Sequence, residues 1–157
     1  MTVELEWVAP RVLTNVRHRD PAAAGLPQRP NTTAELGDGL AVWLGPDEWL
    51  IIGGPWSPPA GPAAEQCWRA VTAAATDVSG QWRGLHVTGP AAAELLPFAC
   101  ALDLAGLGVG GCAQTLIARL PAVLLHPTTS GYELLVRPSH ASYLHSFLVD
   151  ALDGLAG

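Results

Sequence analysis

Residues 40–52 read LAVWLGPDEWLII, two β-prone runs at 40–44 and 48–52 on either side of a short polar break. Val, Ile, Leu and Trp suit a pleated, half-buried surface; Pro46 fits the second position of a type I turn and Asp47 tolerates the third. The stretch therefore predicts a β-hairpin and commits this part of the chain to an antiparallel pair. Asp47 and Glu48 at its tip have the chemistry of an acid/base pair. Adjacent acids on a turn have nothing to drive their pKa values apart, so they are read as solvated charge.

On the amino-terminal side, DPAAAGLPQRPN at 20–31 holds three Pro and one Gly without periodicity, which predicts a covering loop. On the other side, GPWSPPAGP breaks the pattern, and a helix is expected over 62–75 with Ala64, Cys67, Trp68, Val71 and Ala75 on one face. Trp68 would then anchor the core. RGLHVTG at 83–89 reads as a strand, with Leu85 and Val87 on one face and His86 and Thr88 on the other. A helix opens at Pro90, where a missing N–H costs nothing, and Pro97 ends it within two turns.

The cluster GLGVGG at 106–111 matches G-x-G-x-x-G through Gly106, Gly108 and Gly111. A dinucleotide fingerprint follows a strand and opens a helix, whereas this one follows the mixed FACALDLA and precedes CAQTLIARL, which reads as a strand. A loop is the better reading. PAVLLH, the turn PTTSG and YELLV form a second hairpin with a longer connection. Ser139 is placed to cap the last helix, in which Leu144, Phe147, Leu148, Ala151, Leu152 and Leu155 form one apolar stripe. The fold class expected is α+β, an antiparallel or mixed sheet packed by helices, in one domain over 1–157 with one core.

Composition narrows the function classes. The formal charge is −6, there is no Lys, and the eight Arg are scattered, so no basic stripe exists to neutralise phosphates and nucleic acid is excluded as a partner. No basic region and apolar run mark a signal peptide, and the greasiest stretch, at 95–113, is interrupted by Pro97 and Asp103. An Asp at a bilayer centre costs about 2.5–3.5 kcal/mol, so no membrane span is expected and a cytoplasmic location is. Only 14% of residues are charged against 49% apolar, and six Trp stand beside two Tyr and two Phe, which points to apolar surface facing a partner.

Candidate chemistry is thin. Asp77, Ser79 and His86 are the residue types of a nucleophilic triad, and Gly89-Pro90 could leave N–H groups facing an anion. Asp77 and Ser79 equally suit a turn cap, and His86 a packing histidine within a strand. Cys67, Cys100 and Cys112 lack C-x-x-C spacing and read as core thiols; His140 and His145, five apart on a helix, turn away from one another. No catalytic, cofactor-binding or metal residue is assigned.

The segments TNVRHRDP, LPQRPNTT, VWLGPDEWLIIGG, DVSGQWRGLHVTGPAAAELL and CAQTLIARLPAVLLHPTTSGYELLVRPSHASYLHSFL together resemble, in order and over nearly the whole chain, the gamma subunit family of heterotetrameric sarcosine oxidases. WLGPDEWL is the most specific of them. The Asp-x-Ser and Gly-Pro pattern is shared more widely with folate-binding aminomethyltransferase domains and with the amino-terminal domain of a tRNA-modifying GTPase, so the fold is expected to resemble those. The resemblance implies a non-catalytic structural subunit of a flavin-dependent complex that oxidatively demethylates sarcosine or a similar N-methylated amine. It further implies alpha, beta and delta partner chains that carry FAD, FMN, NAD and zinc, with tetrahydrofolate as one-carbon acceptor and no cofactor in this chain. A small folate-binding or aminomethyl-transferring protein working alone is the alternative. Trp56, between Pro-rich turns, and Trp82, before a strand, are the expected partner-contact residues.

Overall fold

The structure, a computed structural model, describes residues 2–54, 56 and 73–156. It is an α+β fold with two five-stranded antiparallel sheets. The chain divides into two compact units, one of Met1–Pro10 with Gly80–Gly157, the other of Arg11–Ser79. Among the described residues each unit holds an apolar cluster of its own.

In the unit of Arg11–Ser79 the strands are β2 (Leu13–His18), β3 (Thr33–Leu36), β4 (Gly39–Gly45), β5 (Glu48–Ile52) and β6 (Ala73–Asp77). They lie in the order β3-β4-β5-β2-β6. The predicted hairpin is β4–β5, closed at the pair Gly45↔Glu48 around Pro46-Asp47, with a bulge beside the turn and Trp43 opposite Trp49. Trp49 and Ile51 are buried with Val16 and Ala41, and Ala24 and Leu26 from the loop at 20–31 close over them. That loop has no helix or strand, as its prolines predict. It is fastened in part by the buried Trp49 indole N–H, which donates to Pro27 O at 2.7 Å, satisfying a polar group that burial would otherwise penalise.

The other unit contains β1 (Glu4–Trp7), β7 (Arg83–Thr88), the one-turn α1 (Ala92–Leu95), β8 (Gly111–Ile117), β9 (Leu120–Thr128), β10 (Gly131–Val136) and α2 (Ala141–Ala156). Its sheet runs β1-β7-β10-β9-β8. Central strand β10 is buried along its whole length, so its residues do not alternate between core and solvent. On one face Leu85, Val87, Leu124, Tyr132 and Leu134 meet Leu95, Leu96, Leu144 and Leu148 from the helices, with Phe147, Ala151, Leu152 and Leu155 packed at the margin. The apolar stripe read in the last helix is the one that packs.

Several expectations are corrected. Most of the helix at 62–75, including Ala64, Cys67, Trp68 and Val71, lies outside the described residues, but its last positions, Ala73–Ala75, belong to β6. There the ladder to β2, from His18↔Ala73 to Thr14↔Asp77, outweighs the weak β preference of alanine. CAQTLIARL is not one strand: it turns back at Ala118-Arg119, both at positive φ (50° and 69°), a conformation without the usual Gly or Asn signal. The PTTSG connection is tighter than read, because β9 continues through Pro127 to pair Thr128 with Gly131. Pro127 falls in the irregular stretch between Glu133↔Leu125 and Gly131↔Thr128, where a missing N–H interrupts no regular bond. Ser139 does not cap the last helix but lies inside a 3-10 turn, Pro138–His140, entered from an extended Arg137 without a side-chain cap. β1, β2 and β3 were not foreseen as strands.

Candidate functional site

The three residues with triad chemistry are each used locally. Ser79 N donates to Asp77 Oδ1 at 2.9 Å, Ser79 Oγ donates to the same oxygen at 2.6 Å, and Leu13 N donates to Ser79 Oγ at 3.0 Å. The Ser79 hydroxyl is thereby spent on joining the end of β6 to the start of β2. The side-chain bond from Ser79, then its backbone N–H, hold the exposed Asp77 carboxyl below the ordinary carboxylate range. This is the turn-capping alternative.

His86 lies on β7 between two partners, opposite Glu6 on β1 and Glu133 on β10. Its Nε2 is 3.6 Å from Glu133 Oε2; Glu133 is buried while the His86 side chain is 41% exposed. The carboxylate is seated over Gly84, where a Cβ would come within 2.8 Å of Glu133 Oε1 and 2.9 Å of Val8 Cγ2. Glu133 is a buried acid that sequence reading passed over, because it stands inside YELLV where alternation would have sent it to solvent. The pair joins adjacent strands.

Asp47 is exposed at the turn, as expected, while Glu48 is partly covered. Arg17 on β2 holds both, Nη1 to Asp47 Oδ1 at 3.0 Å and Nη2 to Glu48 Oε2 at 2.9 Å, and Asn15 Nδ2 donates to Glu48 Oε1 at 2.9 Å. They pin the hairpin tip to its neighbour strand. At 106–111 the chain leaves a 3-10 turn, Ala105–Leu107, and enters β8 at Gly111 after a three-residue turn at 108–110, and a Cβ on Gly111 would strike the Leu107 carbonyl. The glycine serves a tight entry to a strand, without the strand–turn–helix context of a dinucleotide site. Cys100 and Cys112 are buried, and among the described residues no group of three or more His, Cys, Asp or Glu could hold a metal. No described helix is long and apolar enough to cross a membrane.

What the surface offers is contact. Phe98, Val109, Leu116 and Tyr143 are each more than half exposed, a large apolar display for a chain so poor in charge. Of the two tryptophans singled out, Trp56 is half-buried against the Val16–Trp49 cluster with its ring edge-on to His18, at 6.1 Å between centroids. Trp82 is half-buried beneath Arg137, whose Cζ stands 4.5 Å from the ring centroid while Nη1 donates to Gln81 Oε1 at 2.7 Å. The strongly exposed side chains were missed because Leu116 and Phe98 sit in apolar runs that look like core.

Comparison with known proteins bears on the whole chain. The family model described as "Sarcosine oxidase, gamma subunit family" matches residues 23–153. Sarcosine oxidase subunit gamma of Corynebacterium sp. (strain P-1) is 31% identical over 138 residues, 84% of this chain and 66% of that protein. The subunit of the same name from Arthrobacter sp. is 31% identical over 135 residues, again 84% and 66%. The chain thus spans about two-thirds of the length of the curated relatives it matches. Among solved structures, a chain of heterotetrameric sarcosine oxidase from Corynebacterium sp. U-96, in complex with pyrrole 2-carboxylate, superposes with a TM-score of 0.80 at 24% identity, covering 99% of this chain and 86% of that one. At that identity the likeness speaks for the fold.

Proposed function

The chain belongs to the sarcosine oxidase gamma subunit family, and from that premise we propose that it is a non-catalytic structural subunit of a flavin-dependent heterotetrameric oxidase. The complex oxidatively demethylates sarcosine or a similar N-methylated amine. Its alpha, beta and delta chains carry FAD, FMN, NAD and zinc, tetrahydrofolate accepts the one-carbon unit, and the assembly works in the cytoplasm.

The observation that carries this reading is the family match along residues 23–153. The geometry agrees with a non-catalytic role. Ser79 is engaged in a turn and His86 lies beside Glu133 of the neighbouring strand, which supports a structural reading of both. Exposed Phe98, Val109, Leu116 and Tyr143 suit a chain that buries surface on assembly.

The test is co-expression of this chain with the flavoprotein chains. Expected is one complex containing all of them, with amine oxidase activity that survives Ser79→Ala and His86→Gln in this chain. A chain that stays monomeric beside those partners and binds a reduced folate by calorimetry would overturn the subunit reading in favour of a protein working alone.

A further inference from the structure

Where β1 ends and β7 begins, the first two turns of α2 border an open cleft of about 290 Å³ lined by Trp7, Arg83, Ala141, Ser142, His145 and Ser146. The backbone explains the grouping. Trp7 pairs with Leu85, and Trp7, Arg83 and Leu85 share the sheet face on which α2 packs. Residues 141, 142, 145 and 146 fall one turn apart and present one side of the helix. Arg83 Cζ stands 4.5 Å from the Trp7 ring centroid, and the His145 ring stacks on Trp7 at 6.1 Å with an interplanar angle of 26°.

The chemistry of the lining is one-sided. It brings together a guanidinium, an imidazole and two hydroxyls, all able to donate, and among the described residues none of them has a hydrogen-bond acceptor. The contact of Arg83 Cζ with the Trp7 ring uses none of the guanidinium N–H donors in a hydrogen bond and leaves them for another group. One planar cation without a second permanent charge matches a planar monoanion better than a tetrahedral dianion, which draws on several cations. The N-terminal turns of a 16-residue helix add a favourable field for negative charge.

We propose that this cleft binds a carboxylate group, held by the Arg83 fork with the Ser142 and Ser146 hydroxyls donating and Trp7 and His145 forming its wall. The carboxylate belongs either to a small free acid or to an Asp or Glu side chain of a partner chain, the latter resting on the subunit reading above. Arg83, Ser142 and Ser146 are exposed, so their substitution leaves the packed core intact.

The full chain is titrated with acetate, benzoate and inorganic phosphate while the Trp7 indole and His145 ring signals are followed by NMR. In parallel, the assembled complex is challenged with increasing salt. Saturable shifts with the carboxylates, weakened about tenfold or more in R83Q and in the S142A/S146A double variant, identify a free acid as the ligand. No saturation, but dissociation of the R83Q and S142A/S146A complexes at lower salt than wild type and an intermediate effect of R83K, identifies a partner's carboxylate. Unchanged behaviour of the variants in both measurements overturns the proposal, as does phosphate binding as tightly as the carboxylates. A wild-type chain that never assembles defeats the subunit reading, and the titration alone then decides the cleft.

Discussion

The indole N–H of Trp49 and the carbonyl oxygen of Pro27 meet at 2.7 Å, and through this bond a strand of the hairpin fastens the proline-rich loop that covers it. Trp49 is fully buried, so no water can replace the donor. Trp49→Phe keeps most of the apolar contact but leaves the Pro27 carbonyl without this partner, an expected cost of about 1–3 kcal/mol. The loop should loosen first. Limited elastase digestion after the exposed Ala22 and Ala23 should accelerate in the variant more than its global stability, measured in urea, declines. Equal cleavage rates for the two proteins would show that the loop does not depend on this bond.

Legibility in the sequence followed how local each determinant was. The β4–β5 hairpin, β7, the loop at 20–31 and the α2 stripe were readable because turn residues and periodicity lie within a few positions of one another. β6 was not, since Ala73–Ala75 gains its strand from pairing with β2, some sixty positions away. The turn at Ala118-Arg119 escaped for lack of a glycine or asparagine, and Glu133 because a central strand buried on both faces does not alternate. The turn-cap reading of Asp77 and Ser79 was recoverable from two adjacent oxygen-bearing side chains; the Arg83–Trp7–His145 grouping draws on three separate elements and had no local signal.

Gly84 and Glu133 are coupled by space. An alanine at 84 would place its Cβ 2.8 Å from Glu133 Oε1 and 3.1 Å from Val8 Cβ. The buried carboxylate has little room to retreat, so Gly84→Ala is expected to destabilise by about 1–3 kcal/mol despite alanine's better backbone entropy. Gly154→Ala is the internal comparison: nothing stands within 4 Å of its Cβ position in α2, and a gain of about 0.5–1 kcal/mol is expected. Urea midpoints for the two variants should move in opposite directions.

Arg119 is held at φ 69° in the β8–β9 turn. A left-handed conformation costs a non-glycine residue about 1–2 kcal/mol, whereas glycine adopts it freely but loses more chain entropy on folding. Arg119 is exposed, so its side chain has little packing to lose. Arg119→Gly should therefore stabilise by about 0.5–1 kcal/mol, read as a higher thermal midpoint. A lower midpoint would mean that the arginine makes a contribution larger than its strain.

Asp77 and Ser79 make stability depend on acidity in a defined sense. Hydrogen bonds from the Ser79 side chain and backbone depress the carboxyl's pKa in the folded state below its ordinary value of 3.8. A group depressed on folding contributes fully above its unfolded pKa, and the contribution disappears as pH falls through the folded value, because the unfolded chain then binds the proton more readily. Ser79→Ala removes the larger of the two causes and also deprives Leu13 N of its acceptor. In the variant the Asp77 carboxyl signal should titrate at higher pH by NMR. Its urea midpoint should fall below wild type at pH 7, and that gap should narrow as the pH is lowered beneath 3.8. The Leu13 bond does not titrate, so a residual, pH-independent loss should remain at the acid end. An unshifted Asp77 titration in the variant would mean that the turn is held by something other than this serine.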